Sequence, residues 1–580
     1  GRGAMAALVS SRHPPPSAVW PHTLQSVPVQ RSSVSAKPRR SACLAPLADD
    51  GAQSGALRTC CQAAAGLLLL EAGAAGARWR RGRRRPSPTR RRAGAAVALD
   101  APEQQDQQEE QELGEADAFD WSRAWYPLSP VSYLHKDKPN PLMILGQRVV
   151  VWMSVGVDGS EEWHATADAC PHRMAPLSIG EVLDDGTLRC RYHGWCFSGD
   201  GKCVKVPMAS GPEEESKMCG LGRSAVAAFP TAVRQGLLWV FPSSGREAAA
   251  LAAASEPHLE PECEGTDWVM TVAPVGYEVS VENTFDPSHA PFLHDGIIKY
   301  APERAVPMAR FAARDGEISG KGGFVLEHDG YDEGTKGMEA TRKFVPPCSN
   351  TTVYKYADGR VQTNQLYFVP CGPHETRYIV NLGFSPKKKG AKPPGRLASF
   401  FGDVKHAVFF NRIFGYRFQE QDLTAMRGQE QVLSSRPGRN WGEQYVLGTP
   451  SDAGVEVFRR WLYQHAGGGP AWAGEQGSAG SVAPESRLYD RWERHAKHCP
   501  QCRRVLRALG RLETAASRLS AAGVAAGATA AALGRPAAAA LGVCSALAAA
   551  GVRRWAASER WGFISSVPQH GPPEVQIYKD

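Results

Sequence analysis

Short runs of apolar and β-branched residues, bounded by glycine, proline and aspartate, dominate the middle of the chain. Examples are residues 148–154, 237–241 and 352–356. Runs of this length between turn-forming residues predict antiparallel strands. The segment 119–245 therefore predicts a small all-β domain.

From residue 268 onward, longer patterns predict a second domain of mixed character. Strand-like runs at 269–275, 365–369 and 376–382 predict an antiparallel sheet, and two segments at 281–294 and 400–433 predict helices that cover it. A helix at 249–255 is the predicted linker between the two domains. The fold class is therefore α+β, with the second domain extending over 268–465.

The C-terminal part divides into three predicted segments. Residues 466–485 form a glycine-rich flexible insertion, and residues 486–510 contain a Cys-x-x-Cys motif. Two uncharged runs rich in alanine and glycine follow at 519–533 and 536–552. Each run is shorter than the roughly 20 residues of a membrane-spanning helix. A buried helical hairpin and a membrane hairpin over 519–552 both fit this pattern.

The N-terminal residues differ in composition from the rest of the chain. The first 48 residues contain no Asp or Glu, and an arginine cluster follows at 78–92. A basic, hydroxylated and acid-poor stretch is typical of an organellar transit peptide, so residues 1–98 are the predicted presequence. The net charge of +8 gives little support for nucleic-acid binding, because the arginines concentrate in this stretch without interleaved aromatic residues.

Two pairs of metal-binding residues stand close together in the first domain. Cys170 and His172 form one pair, and Cys190 and His193 form the other. Two thiolates and two imidazoles can hold a 2Fe-2S cluster, with the sulfur ligands on one iron and the nitrogen ligands on the other. The alternative is a Cys2His2 zinc site, which uses the same ligand types.

A second candidate metal site lies in the second domain, where His289 and His294 are five residues apart. Two histidines and one carboxylate bind Fe(II) and leave coordination positions open for dioxygen. Such a pair alone is weak evidence, because most histidine pairs lie on a surface or in a core. The sequence context around both sites therefore decides between these readings.

That context resembles the Rieske non-haem iron oxygenases. The segments that carry the resemblance are Cys-Pro-His-Arg-Met-Ala-Pro-Leu-Ser at 170–178, Arg-Tyr-His-Gly-Trp at 191–195 and Asn-x-x-Asp-x-x-His-x4-His at 283–294. Three further segments, at 119–128, 457–462 and 489–502, are similar to the chloroplast branch of the family. This branch includes pheophorbide a oxygenase, the translocon-associated Rieske proteins and the protochlorophyllide-linked Rieske protein. The resemblance extends over residues 119–560.

The resemblance implies both cofactors and their ligands. Each subunit would hold one 2Fe-2S cluster on Cys170, His172, Cys190 and His193, and one mononuclear Fe(II) on His289, His294 and Asp422. Glu420 is the alternative third ligand, and a solvated acidic helix is the alternative reading of that segment. The resemblance also implies a helix-grip fold for the second domain.

A homotrimer is implied as well, with electrons passing between subunits. Asp286 would orient His289, as carboxylates do for metal-bound imidazoles, and would contact His193 of the adjacent subunit. The path would then run from His193 through Asp286 and His289 to the iron.

The implied activity is that of an oxidoreductase, a Rieske-type mono- or dioxygenase. Its substrate would be a chlorophyll-derived tetrapyrrole similar to pheophorbide a, with O2 and ferredoxin-derived electrons as co-reactants. The expected location is the chloroplast, at the inner envelope or thylakoid membrane, with residues 519–552 in contact with lipid and the catalytic part facing the stroma. The alternative is a redox-sensing component of the inner-envelope protein import machinery. The site of oxygenation on the substrate stays open.

The Cys499-x-x-Cys502 motif predicts a redox switch. Two thiols at this spacing can form a reversible disulfide, and neighbouring cations such as Lys497 and Arg503 lower the pKa of the attacking thiol. The alternative is half of a zinc site, with His495 and His498 nearby. The motif resembles the thioredoxin-responsive pair of the chloroplast branch, which makes thioredoxin a candidate partner.

Overall fold

The computed structural model describes residues 117–564 except 265–266, 298, 315–317, 383–394, 437–439 and 474–481. The predicted presequence and the central part of the predicted 466–485 insertion lie outside the described residues. The architecture is α+β, as predicted: short strands come first, a large antiparallel sheet follows, and helices complete the chain.

The N-terminal part is built from short antiparallel strands. Their bounds are β1 (Tyr126–Pro130), β2 (Asn140–Ile144), β3 (Gln147–Val155), β4 (Glu161–Ala167), β5 (Glu181–Val182), β6 (Leu188–Arg189), β7 (Cys196–Phe197), β8 (Cys203–Lys205), β9 (Ala228–Phe229), β10 (Thr231–Arg234) and β11 (Leu237–Val240). They form sheets with the orders β1-β11-β10, β2-β3-β4-β9 and β5-β6-β7-β8. The loop from β4 to β5 carries Cys170 and His172, and the loop from β6 to β7 carries Cys190 and His193.

A seven-stranded antiparallel sheet forms the second part. Its strands are β12 (Val269–Ala273), β13 (Phe311–Ala313), β14 (Phe324–Asp329), β15 (Glu339–Val345), β16 (Ser349–Lys355), β17 (Val361–Gly372) and β18 (Glu375–Leu382). The strand order is β12-β18-β17-β16-β15-β14-β13. Strands β14 and β15 alternate buried and more exposed positions, because one face of the sheet packs against the core. Strand β18 is instead buried along most of its length.

Helices connect and cover these sheets. In the order of the chain they are α1 (Pro212–Cys219), α2 (Arg246–Ala253), α3 (Tyr277–Phe285), α4 (Ala290–Leu293), α5 (Arg396–Phe409), α6 (Glu420–Ser434), α7 (Trp441–Gln444), α8 (Ala453–His465), α9 (Glu485–Leu488), α10 (Pro500–Ala532) and α11 (Pro536–Ile564). Helix α2 overlaps the linker helix that was predicted at 249–255. Helix α3 packs against β17, β18 and α6, which brings the predicted iron ligands together.

Two hydrophobic clusters support the two predicted metal sites. The larger cluster contains residues of the β1-β11-β10 sheet and of the seven-stranded sheet. The rings of Trp239 on β11 and Tyr367 on β17 meet there edge to face, with their centroids 5.3 Å apart. The smaller cluster includes Trp152 and surrounds Cys170 and Cys190. The first metal site therefore rests on a core of its own.

The helix predicted at 281–294 is interrupted. Helix α3 ends at Phe285, a 3-10 turn spans Pro287–His289, and α4 begins at Ala290. Asp286 has φ −109° and ψ 85°, because the residue before a proline is disfavoured in the α-helical region. The break displaces His289 and His294 from a single helical path, and both can turn towards α6.

The helix predicted at 400–433 is continuous but contains an irregular middle. A π-helical segment (Phe410–Gln419) joins α5 to α6. Such segments are frequent at functional sites because they shift the helix register. Asp422 follows in the first turn of α6.

Helices α10 and α11 form an antiparallel hairpin with a turn around Gly534. The two helices touch through glycines: a Cβ atom on Gly542 would lie 2.6 Å from the Cα atom of Gly527. The helices are longer than the runs predicted at 519–533 and 536–552, because α10 begins at Pro500, beside the Cys-x-x-Cys motif. The hairpin is thus anchored on the rest of the chain at its N-terminal end.

Candidate metal centres

The two Cys/His loops have closely related backbone conformations. Met174 donates its N–H to the carbonyl of Cys170, and Gly194 donates to the carbonyl of Cys190, at 2.8 and 2.9 Å. Both donors have positive φ, 59° and 75°. Each loop therefore turns back four residues after its cysteine. The two loops face each other and have the same turn geometry.

The loops place thiols inside and imidazoles outside. Cys170 and Cys190 are each 2% exposed, whereas His172 is exposed and His193 half-buried. The two imidazole rings lie 4.6 Å apart, and His172 stacks on Trp195 at 4.9 Å. Burial, with the adjacent Cys190 thiol as a smaller cause, raises the pKa of Cys170 to about 11.

This arrangement fits a 2Fe-2S cluster better than a single zinc ion. The donors separate into a buried sulfur pair and a surface nitrogen pair, as two irons with different ligands require. The four donors are not among the sets of metal-ligating atoms that lie within 4.8 Å of one another in the described residues. A single tetrahedral ion needs such a compact set.

A compact second set joins His289, His294 and Asp422, whose donor atoms all lie within 4.8 Å of one another. The Nε2 atoms of His289 and His294 lie 3.4 and 3.2 Å from the same oxygen, Oδ1 of Asp422. His294 Nε2 is buried without a hydrogen-bond partner among the described residues. Two nitrogens converging on one carboxylate oxygen fit an Fe(II) ion on a facial triad.

The electrostatics of this set favour a cation. Burial alone would raise the pKa of Asp422, but the adjacent imidazoles of His289 and His294 lower it to about 2. The carboxylate is therefore ionised at neutral pH. Asn283 donates from Nδ2 to Asp422 Oδ1 at 3.4 Å and helps to hold the carboxylate in place.

Glu420, the alternative third ligand, lies outside this set. Its carboxylate accepts two hydrogen bonds from Arg491, from Nε at 2.8 Å and from Nη2 at 2.9 Å. Glu420 is 6% exposed and therefore forms a buried ion pair. Asp422 is the acid that the fold brings to the two histidines.

Asp286 lies near His289 but does not bond to it. The distance from Asp286 Oδ2 to His289 Nδ1 is 3.8 Å, which is too long for a hydrogen bond. The other carboxylate oxygen accepts the backbone N–H of Ser288 at 3.0 Å. Asp286 therefore makes no direct hydrogen bond that would orient the His289 ring, in contrast to the role predicted from the sequence.

Gln421 is a site residue that sequence reasoning missed. Its Oε1 lies 3.0 Å from His294 Nδ1. With the amide oxygen as acceptor, Nδ1 carries the proton and Nε2 is left to bind a metal. The Phe418 ring stacks on the same imidazole at 3.6 Å. Gln421 and Asp422 are adjacent in the sequence, but an amide, unlike a carboxylate, gives no sequence signal of a role at an iron site.

A buried arginine ties the end of α3 to the sheet. Arg342 on β15 donates from Nη1 to the carbonyl of Thr284 at 2.7 Å and from Nε to His328 Nε2 at 2.9 Å. His328 is fully buried, and burial followed by the charge of Arg342 lowers its pKa to about 3. A neutral His328 therefore holds the arginine that positions the backbone just before Asp286.

A cavity of about 400 Å³ leads to this second set. Its wall includes Asp286, His289, Leu293, Met426 and Tyr445. His289 is 22% exposed while His294 is fully buried. Small molecules in the cavity can therefore reach the metal-binding atoms from the His289 side.

The cysteines of the Cys-x-x-Cys motif are both fully buried. Cys499 caps the start of α10, where its sulfur accepts the N–H of Cys502 at 3.5 Å. Burial raises the pKa of Cys499, but hydrogen bonds with Cys502 and His406 and the charge of His495 lower it overall. The predicted disulfide switch and its thioredoxin partner stay predictions.

Comparisons with known proteins agree with this geometry. The family model described as Rieske [2Fe-2S] domain matches residues 124–230, and the model described as Pheophorbide a oxygenase matches residues 344–440.

Three chloroplast relatives are similar over most of their length. Protochlorophyllide-dependent translocon component 52 of Arabidopsis thaliana is 27% identical over 432 residues, which are 69% of this chain and 76% of the relative. Flavonoid 8-hydroxylase 2 of Ocimum basilicum is 31% identical over 432 residues, 70% of this chain and 77% of the relative. Pheophorbide a oxygenase of Arabidopsis thaliana is 30% identical over 414 residues, 67% of this chain and 73% of the relative.

A Rieske domain followed by a catalytic domain with a mononuclear iron site defines the class of Rieske non-haem iron oxygenases. These oxidoreductases use one 2Fe-2S cluster and one mononuclear iron. The chain belongs to the chloroplast family of such oxygenases that includes pheophorbide a oxygenase. The cofactors and the class of enzyme predicted from the sequence are therefore confirmed.

Proposed function

We propose that this oxygenase uses O2 and electrons from ferredoxin to oxygenate a chlorophyll-derived tetrapyrrole similar to pheophorbide a. The observation that carries the proposal is the convergence of His289, His294 and Asp422 at the end of the cavity. The iron, when bound there, supplies open coordination positions for dioxygen. The names of the relatives favour a large flat aromatic substrate, either a tetrapyrrole or a flavonoid.

Individual residues have separate tasks in this proposal. Cys170, Cys190, His172 and His193 hold the cluster, and the exposed His172 and half-buried His193 form its accessible side. His289, His294 and Asp422 hold the iron, while Gln421 keeps the proton of His294 on Nδ1. Met426, Tyr445 and Leu293 position the substrate and exclude water from the metal side of the cavity.

The decisive experiment offers candidate substrates to the purified protein. The protein is incubated without oxygen with pheophorbide a, protochlorophyllide or a flavone, and then receives O2 and reduced ferredoxin before product masses are measured. We expect oxygen incorporation into a tetrapyrrole, and its loss in Asp422→Asn. Asp358→Asn, in an exposed turn of the sheet, is the matched control. Turnover of the flavone alone would contradict the tetrapyrrole assignment.

A redox-sensing role in protein import is the second candidate, because one relative is named as a translocon component. A sensor needs the cluster but not substrate oxygenation. The same experiment separates the two: a sensor yields no product with any pigment, and Asp422→Asn leaves its redox response unchanged.

We further propose a homotrimer in which His193 of one subunit meets Asp286 of the next. Asp286 is accessible enough for such a contact, because its side chain is 34% exposed and it lies 3.8 Å from His289 Nδ1. Electrons would then pass from His193 through Asp286 and His289 to the iron. The resemblance to the family supports this arrangement.

The C-terminal hairpin is the proposed membrane contact, at the inner envelope or thylakoid membrane of the chloroplast, with the catalytic part in the stroma. Among the described helices, α11 is long and apolar enough to cross a membrane by length and composition. Leu541 and Leu547 are 72% and 67% exposed. Trp555 and Trp561 follow towards the C-terminus, where interfacial tryptophans are expected.

Flotation with vesicles of chloroplast lipids tests this contact. We expect the full chain to float with the vesicles and Leu541→Gln with Leu547→Gln to weaken flotation. Val155→Gln with Val361→Gln, two exposed valines on the sheets, is the matched control. Equal flotation of both double variants would contradict lipid contact through the hairpin.

A further inference from the structure

A third set of metal-ligating side chains lies outside both iron sites. It consists of His406, His495, Cys499 and Cys502, whose donor atoms all lie within 4.8 Å of one another. His406 comes from the last turn of α5, His495 from a π-helical turn (Trp492–Ala496), and the cysteines from the start of α10. Three separate elements therefore meet at four metal-binding groups.

The distances match a tetrahedral site. Cys499 Sγ lies 3.4 Å from His406 Nε2, and Cys502 Sγ lies 3.4 Å from His495 Nε2. With Zn–S of about 2.3 Å and Zn–N of about 2.0–2.1 Å, a tetrahedron has sulfur-to-nitrogen edges of about 3.6 Å. An ion fits between the four atoms with little movement of the side chains.

One histidine is already fixed in the tautomer that a metal requires. His495 Nδ1 donates to the carbonyl of Met270 at 2.7 Å, so the lone pair of Nε2 faces the cysteines. A ring N–H bonded to a backbone carbonyl is the usual outer partner of a metal-bound imidazole. The Phe410 ring stacks on His495 at 4.0 Å and restricts its rotation.

The negative charge of two buried thiolates at this site would be compensated by a bound dication. Cys499, Cys502 and His495 are at most 5% exposed, and two thiolates in such a place need compensation. Two basic side chains of this segment have acidic partners: Lys497 pairs with Glu493, and Arg504 makes two hydrogen bonds with Asp403 at 2.6 and 2.7 Å. A Zn²⁺ ion would make the site neutral.

We propose that His406, His495, Cys499 and Cys502 bind a structural zinc ion. Four protein ligands leave no open position, which is typical of a structural site and not of a catalytic one. The ion would fasten the start of α10 to α5, the helix that continues into the segment carrying Asp422. The sequence indicated only half of this site, because His406 lies 93 residues from Cys499.

The site also bears on the predicted redox switch. A disulfide between Cys499 and Cys502 would remove both thiolate ligands, so zinc and disulfide exclude each other. The two states are distinguishable by metal content and by the mass of the chain.

The test combines metal analysis with X-ray absorption on the purified full chain. We expect one zinc per chain when the cluster and mononuclear iron sites are fully loaded with iron. Full iron loading ensures that zinc does not occupy the Rieske ligands, which offer the same donor types. The zinc edge should show two sulfur neighbours at about 2.3 Å and two nitrogen neighbours at about 2.0–2.1 Å.

Variants locate the ion. His406→Asn and Cys502→Ser should lose the zinc, whereas His498→Asn, next to the site, and Cys544→Ser, on the exposed part of α11, should retain it. The wild-type spectrum does not depend on whether a variant folds. Iron-loaded wild-type protein without zinc, zinc with only nitrogen and oxygen neighbours, or a Cys499–Cys502 disulfide in the metal-free chain as purified under reducing conditions would each overturn the proposal.

Discussion

The ring of His294 is held from two directions, by the amide of Gln421 and by the stacked Phe418. We predict that Gln421→Ala lowers iron affinity by about 10- to 100-fold, the usual effect of removing an outer hydrogen bond from a metal ligand. Iron content after dialysis against a graded chelator measures this. Gln431→Ala, exposed on the same helix α6, should bind iron like the wild type. Equal iron retention by both variants would assign Gln421 a packing role only.

His328 provides a pH-dependent prediction. Its pKa in the folded state is lowered to about 3, against about 6.5 in an unfolded chain. The unfolded state therefore binds more protons between these values, and stability falls as the pH falls through this window. The steepest loss is about 1.4 kcal/mol per pH unit.

His328→Gln tests this dependence, because glutamine can still accept the hydrogen bond of Arg342 but does not titrate. Between pH 6.5 and 5, the free energy of unfolding of the wild type should fall relative to the variant. Denaturant unfolding at several pH values measures the difference. Parallel curves would show that His328 is protonated in the folded protein or does not control stability.

At the scale of single residues, the sequence predicted what local spacing encodes. Cys170, His172, Cys190 and His193 stand in short loops, and His289 and His294 are near neighbours in the chain, so their grouping was visible. Gln421 and His406 were not found, because their partners are distant in sequence and no fixed spacing links them. Asp422 required the resemblance to a family, and the fold then brought it to the histidines.

At the scale of elements, the predicted strands and helices are present, but the helix at 281–294 is broken and the one at 400–433 contains a π-helical segment. Both departures lie beside the iron ligands. Pro287 explains the first from local chemistry. The second contains Gly415, where a Cβ atom would clash with the carbonyl oxygen of Phe410. A single glycine in a helical pattern does not by itself predict a π-helical segment.

The ion pair of Glu420 with Arg491 joins α6 to the segment that leads to the Cys-x-x-Cys motif. Both side chains are buried, and removal of one partner of a buried pair costs about 3–5 kcal/mol. We predict that Glu420→Gln lowers the free energy of unfolding by this order but leaves one mononuclear iron per chain. Glu456→Gln, from an exposed pair with Arg460, should cost at most about 1 kcal/mol. Loss of the iron in Glu420→Gln would make Glu420 a ligand after all.

At the scale of the whole molecule, the proposed trimer makes a prediction about mixed subunits. Cys170→Ser removes the cluster and Asp422→Asn removes the iron, so each variant alone should be inactive. When both are produced together, a subunit with an intact cluster can serve the intact iron of its neighbour. Activity should therefore return in the mixture, measured as product per assembled protein. An inactive mixture of properly assembled subunits would indicate transfer within one chain.

Helix α10 extends without interruption from Cys499, its cap, to Ala532 near the tip of the hairpin, and its 33 residues make a rod of about 50 Å. A continuous helix, unlike a flexible linker, would fix the distance and the tilt of the catalytic cavity relative to a lipid surface. A pigment that leaves the bilayer would then meet the opening in one fixed orientation, so the regiochemistry of the reaction would depend in part on the angle at which the enzyme stands.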